Sequence, residues 1–162
     1  MNKFFRLTSD TDVAEYVRPA EALYREPCGK LTLAEAVQQN KVQFMDPSPL
    51  VVGLDDSGGL EFPDMLLYEN VPLLSTRFYE LLLRNSIDTL FQKRVVLKDE
   101  LAGYSEPYTL LVPPSVNTVS DAGRYQFFSL SDSRMLVVTQ DLKEAIENAN
   151  LENVYFDKME DE

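Results

Sequence analysis

Five carboxylates crowd one stretch of the chain: Asp55, Asp56, Glu61, Asp64 and Glu69. Paired carboxylates can divide acid and base work in a hydrolysis, and a group of them can hold a hard cation through oxygen ligands. Their spacing does not match an EF-hand loop. Asp55-Asp56-Ser57-Gly58-Gly59 is also the composition of a tight turn, in which Asp and Ser bond their own backbone and glycine accepts positive φ. Elsewhere the means for chemistry are sparse. The chain has no histidine. That removes Ser-His-Asp and Cys-His nucleophiles and every His-based metal site. The single cysteine, Cys28, has Lys30 near it, which could lower its pKa, but it has no base partner and reads as an inert thiol. Neither GxGxxG nor a Walker pattern occurs. Nothing among these residues supports catalysis positively, though the carboxylates leave it open, and no cofactor or metal is expected.

The elements that would position these carboxylates follow from periodicity and turn residues. Lys3–Leu7 reads as a first strand, and 13–24 as a loose helical stretch interrupted by Pro19. In "KLTLAEAVQQN", Thr32 and Glu35 form a capping box that starts a short helix over 33–39. "PLVVGLDDSGGLEFPDMLLY" reads as a hairpin turning at 55–59. "KRVVL" and "YTLLV" are strands separated by a polar loop over 98–106. "VPPSVNTVSDAG" reads as loop. "YQFFSL" and "RMLVVT" flank a turn at Ser131-Asp132-Ser133. The sum is an α+β fold. It has mixed or antiparallel sheets of seven to nine strands and three or four helices.

Two segments match in register. "LLSTRFYELLLRNSIDTLFQ" lies over "VVTQDLKEAIENANLENVYF" at constant offset, with Ser75 over Thr139, Phe78 over Leu142, Leu82 over Ile146 and Ile87 over Leu151. Each unit runs from an apolar strand to a hydroxyl suited to a helix N-cap. A helix with apolar spacing follows, and then a closing apolar run. The expectation is two strand–helix–strand units whose helices pack on one common sheet. The 162 residues suit a single domain. Residues 1–70 hold short helices and the hairpin, 71–159 hold the duplicated units, and 157–162 form an acidic tail.

Charge narrows the partners. The formal net charge is −12, from 27 acids and 15 bases. A phosphate backbone requires clustered Lys and Arg, so nucleic acid is not expected. Residues 41–70 carry six acids against Lys41, and the stretch from Gln140 onward carries eight acids against Lys143 and Lys158. Residues 71–98 are net positive. Such a field favours a basic partner and speeds the encounter with it. No apolar run has transmembrane length, and "MNKFFRLTSD" lacks the apolar core of a secretory signal. Cytoplasmic location and no membrane contact are the expectation.

"FPDMLLYENVPLLSTRFYELLLRNSID" and "MLVVTQDLKEAIENANLENVYFDKM" together resemble a family of bacterial immunity proteins from polymorphic toxin systems. It is the eleventh-numbered immunity family, formerly a domain of unknown function. The likeness runs from about Phe62 to Met159, with Leu151, Val154 and Phe156 in the closing segment. Asn153 stands where that family usually has glycine. The resemblance implies a non-enzymatic protein that binds and neutralises a cognate toxin domain. Asp55, Asp56, Glu61, Asp64 and Glu69 are the toxin-binding candidates, on the expected hairpin. Two rivals stand beside this: an acidic regulatory or adaptor domain with another protein partner, and a carboxylate-dependent hydrolase. Neither the toxin nor the oligomeric state follows from the sequence.

Overall fold

The computed structural model describes residues 3–9, 17–19, 50–54, 63–68, 71–99 and 104–159. The predicted helix over 33–39 and Cys28 lie outside them. So do the predicted turn at 55–59 and the last three residues of the acidic tail.

Among the described residues, two sheets are built from eleven strands. The first has the order β11-β1-β10-β9-β8 and combines Phe4–Thr8 (β1), Ser115–Val116 (β8), Phe127–Leu130 (β9), Leu136–Thr139 (β10) and Tyr155–Lys158 (β11). The second has the order β2-β3-β6-β7-β5-β4. Its strands are Val17–Pro19 (β2), Leu50–Leu54 (β3), Met65–Tyr68 (β4), Val71–Ser75 (β5), Phe91–Asp99 (β6) and Tyr104–Val112 (β7). Without the very short β2 and β8 the count is nine. Both sheets are mixed, because β3 runs parallel to β6 and β8 parallel to β9. Two α-helices are present among the described residues, Thr76–Arg84 (α1) and Gln140–Asn148 (α2), with a 3-10 turn at Val119–Ala122. The fold is α+β, and three or four helices are not matched within the described residues.

Several local expectations are corrected. Residues 17–19 are extended, not helical, and pair with β3. Arg18 precedes proline, whose ring disfavours helical backbone in the residue before it. β3 and β4 do not form the predicted hairpin. β3 lies between β2 and β6, while β4 is at the opposite edge against β5. Turn composition marks a chain reversal but does not choose which strands pair. The predicted loop over 98–106 is shorter than expected, since the β6–β7 ladder runs to the pair Asp99↔Tyr104. A strand end composed of polar residues lacks the apolar alternation from which strands are read. β8 and the 3-10 turn occupy what reads as loop at 112–123, too short to show a period.

The two matched segments are structural repeats. Ser75 and Thr139 are both N-caps, and each side-chain oxygen accepts from the backbone N–H three residues on. Each helix is followed by a left-handed residue, Ser86 and Asn150, both at φ 53°. β5 and β6 are both antiparallel to β7, and β10 and β11 are both antiparallel to β1. Each unit is therefore a β-α-β element whose two parallel strands are split by a third. The helices do not share a sheet, as was expected. α1 packs on β5 and β7, and α2 on β10 and β1. Their apolar faces meet in one core instead. Phe78, Leu81 and Leu82 join Leu142 and Ile146 there, with Leu7, Met65, Leu74, Leu111, Phe127, Leu136 and Val138. The far face of the five-stranded sheet has its own small core of Phe128, Val137 and Ala122, with Phe4 edge-on to Phe128.

Candidate functional site

Of the five toxin-binding candidates, Asp55, Asp56, Glu61 and Glu69 lie outside the described residues. Asp64 is described, and it is not a surface carboxylate. It is 6% exposed, in the bend that precedes β4. Its neighbours in sequence, Pro63, Met65 and Leu66, are buried with it. The Tyr108 hydroxyl, itself buried, donates to the Pro63 carbonyl and anchors the bend.

Every part of the Asp64 carboxylate is engaged. Oδ1 accepts from the Ser75 hydroxyl at 2.6 Å and from Arg77 Nε at 2.8 Å. Oδ2 accepts from Arg77 Nη2 at 2.6 Å and from the backbone N–H of Glu152 at 2.7 Å. Arg77 thus grips it with both arms of the guanidinium fork. The backbone joins in, with Asp64 N–H donating to the Glu152 carbonyl and Ser75 N–H to the Asp64 carbonyl. Burial pushes the carboxyl pKa up. The hydrogen bonds from Arg77, Glu152 N–H and Ser75, and the Arg77 charge, outweigh that push and hold it below its ordinary 3.8.

The local sequence explains why these groups converge. Ser75 ends β5 and caps α1, so its hydroxyl accepts from Phe78 N–H while donating to Asp64. Arg77 is the second residue of α1 and stands beside the same cap. The turn after α2 supplies the third party. Arg77 Nη2 also donates to the Asn150 carbonyl at 3.2 Å, and Asn153 Nδ2 donates to the Met65 carbonyl at 2.8 Å. The carboxylate is therefore a clasp between the first repeat and the turn that closes the second. With four donors on its two oxygens it has no lone pair directed at a substrate. Asn153 adopts φ 61°. Glycine takes that conformation freely, and asparagine is among the few other residues that tolerate it. The Asn153 side chain adds a bond across the clasp.

The sequence reading missed the clasp. The signal open to it was an acid with apolar residues on both sides, which points toward burial, and a buried carboxylate needs partners. Nothing in the sequence identified Arg77 or Glu152 as those partners, because Glu152 contributes only its backbone.

Two grooves flank the helices at equivalent places. One, of about 480 Å³, lies between α2 and β11 and includes Lys143, Glu147, Tyr155 and Phe156. The other, of about 510 Å³, lies beside α1 and includes Tyr79, Gln92, Lys93 and Arg94. Lys143 pairs with Glu147 at 2.7 Å, and its ammonium lies 4.7 Å and 5.8 Å from the ring centres of Phe5 and Phe156. Among the described residues no group of three or more His, Cys, Asp or Glu is placed to hold a metal ion. No described helix is long and apolar enough to cross a membrane. No protein-family model matches the chain, and no curated protein matches it either.

Proposed function

We propose that this protein acts by binding another protein, as an immunity protein that neutralises a cognate, basic toxin domain. The net charge of −12 carries this reading. Part of it lies on an ordered helix face, where Asp141, Glu144 and Glu147 of α2 are all exposed. Rigid carboxylates of this kind steer a basic partner and need little ordering when it docks. Asp64, one of the five predicted acids, is tied up in structure and is not available to a partner. Asp55, Asp56, Glu61 and Glu69 stay in the proposed interface, and Asp64 does not. The proposed location is the producer's cytoplasm.

The test is co-expression with the product of a toxin-like neighbouring gene, reading growth and recovery of a complex. Wild-type protein restores growth and co-purifies with that product. Reversing Asp55→Lys and Asp56→Lys together slows association and weakens protection, most at low salt. If no neighbouring product is toxic or bound, the immunity reading is wrong.

A further inference from the structure

β11 ends the five-stranded sheet, and among the described residues it pairs only with β1. The register shows which of its backbone groups are left over. Met159 N–H donates to the Phe4 carbonyl, so Phe4 and Met159 form a hydrogen-bonded pair. Such pairs alternate along an antiparallel ladder. Asp157 and Tyr155, opposite Arg6 and Thr8, therefore bond inward to β1. Phe156 and Lys158 direct their N–H and C=O outward. Beside this edge runs the groove between β11 and α2, lined by Ile146, Glu147, Asn150, Val154, Tyr155 and Phe156. Tyr155 is 53% exposed. The one lysine in the groove is already engaged by Glu147 and two rings. Glu147 lines the groove, the elements that form it carry exposed Glu144, Glu152 and Asp157, and the chain continues into Glu160, Asp161 and Glu162.

We infer that the outer edge of β11 receives an extended, basic segment of the partner protein as an added strand. Main-chain bonds form to Phe156 and Lys158, and alternate side chains of the incoming strand enter the α2–β11 groove. The occupant is basic because the surrounding charge is acidic and Lys143 is neutralised in place. Asp157 and Lys158 guard the edge against indiscriminate pairing, as charges on edge strands do. The assignment presupposes the protein partner proposed above and gives that partner a mode of docking.

The probe is a capped nonapeptide of alternating lysine and valine, titrated into the full 15N-labelled chain, with the glutamate–valine peptide as control. The lysine peptide binds saturably and shifts the amides of 154–158 and 146–151, and the glutamate peptide does not. Lys158→Pro removes one outward N–H without touching the β1 ladder and weakens binding about tenfold. Asp157→Lys, at an exposed side chain, weakens it about threefold at low salt. The second variant decides the matter if the first does not fold. Four results overturn the assignment: no binding, shifts confined to other strands, equal affinity in both variants, or a wild-type dimer that Lys158→Pro abolishes. The last would give the edge to a second copy. If Lys158→Pro and Asp157→Lys protect cells as well as wild type, the edge assignment falls and the immunity reading stands. If wild type itself fails to protect, the immunity reading falls.

Discussion

The repeat around α1 and the repeat around α2 start from the same local instructions and are completed differently. Both have a hydroxyl cap, a nine-residue helix and a left-handed residue after it. At α1 the ending is a full Schellman arrangement, with Ser86 N–H on the Leu83 carbonyl and Ile87 N–H on the Leu82 carbonyl. At α2 the bond from Asn150 N–H to the Glu147 carbonyl recurs. The strand that splits each pair comes from different places. β7 follows β6 directly in the chain, so the first repeat is closed by a local hairpin. β1 comes from the far end of the chain, so the second repeat is closed only when the N-terminus arrives. The helix-to-strand contact differs too. Tyr79 donates its hydroxyl to Gln92 in the first repeat, while in the second Lys143 stands over Phe156 at the matching positions. One local code thus supports two tertiary solutions.

Removing residues 1–8 is the harshest way to break the comparison. It deletes the strand between β10 and β11 and leaves β6–β7 intact, so the cooperative unfolding transition should be lost or replaced by a non-cooperative one. A deletion that melts like wild type would show that the second repeat closes without β1.

Core truncation comes next. Phe78→Ala and its counterpart Leu142→Ala both remove fully buried side chains from the shared core. They should cost about 3–5 and about 2–5 kcal/mol in denaturant melts. Because the two face one core, the double mutant should depart from additivity. Strict additivity would mean two independent cores.

Breaking the clasp should have a middling effect. Arg77→Ala leaves the buried Asp64 carboxylate with Ser75 and Glu152 N–H alone, and should cost about 1–3 kcal/mol. Arg77 is 55% exposed, so water replaces part of the lost attraction. The pH dependence has a definite sign. The folded pKa of Asp64 is depressed, so its contribution is complete above the ordinary carboxylate value of 3.8 and is lost as pH falls through the lower folded value. Asp64→Asn should therefore flatten the acid limb of stability below about pH 4. An unchanged acid limb would show that Asp64 is not the group being titrated.

The caps sharpen the comparison further. Ser75→Ala and Thr139→Ala each remove a cap, worth about 0.5–2 kcal/mol. Ser75→Ala should be the worse of the two, because that hydroxyl also donates to Asp64. Equal losses in thermal melts would reduce Ser75 to a cap alone.

The smallest expected effects are at the helix ends. Ser86→Gly relieves a left-handed serine and should stabilise by up to about 1 kcal/mol. Asn150→Gly should gain less, because asparagine already tolerates that conformation. The reverse order would mean that the two helix ends are not equivalent.

What the sequence determined by itself is local. Apolar spacing, the hydroxyl caps and the constant offset were enough for both strand–helix–strand units, because helix faces, caps and strand runs depend on neighbours a few residues apart. The α+β class followed from the same signals. The tertiary structure decided which strands pair, and the sequence reading erred there, in the hairpin of β3 with β4 and in the common sheet for the two helices. Pairing depends on which distant strands bury their faces together, and turn residues do not encode that. Asp64 shows the same division. The sequence reading set it among the toxin-binding acids, and its place in a clasp instead depended on Arg77 and on the backbone of Glu152, 88 residues along the chain. A backbone N–H is the same at every position, so no residue type announces where such a bond will be made.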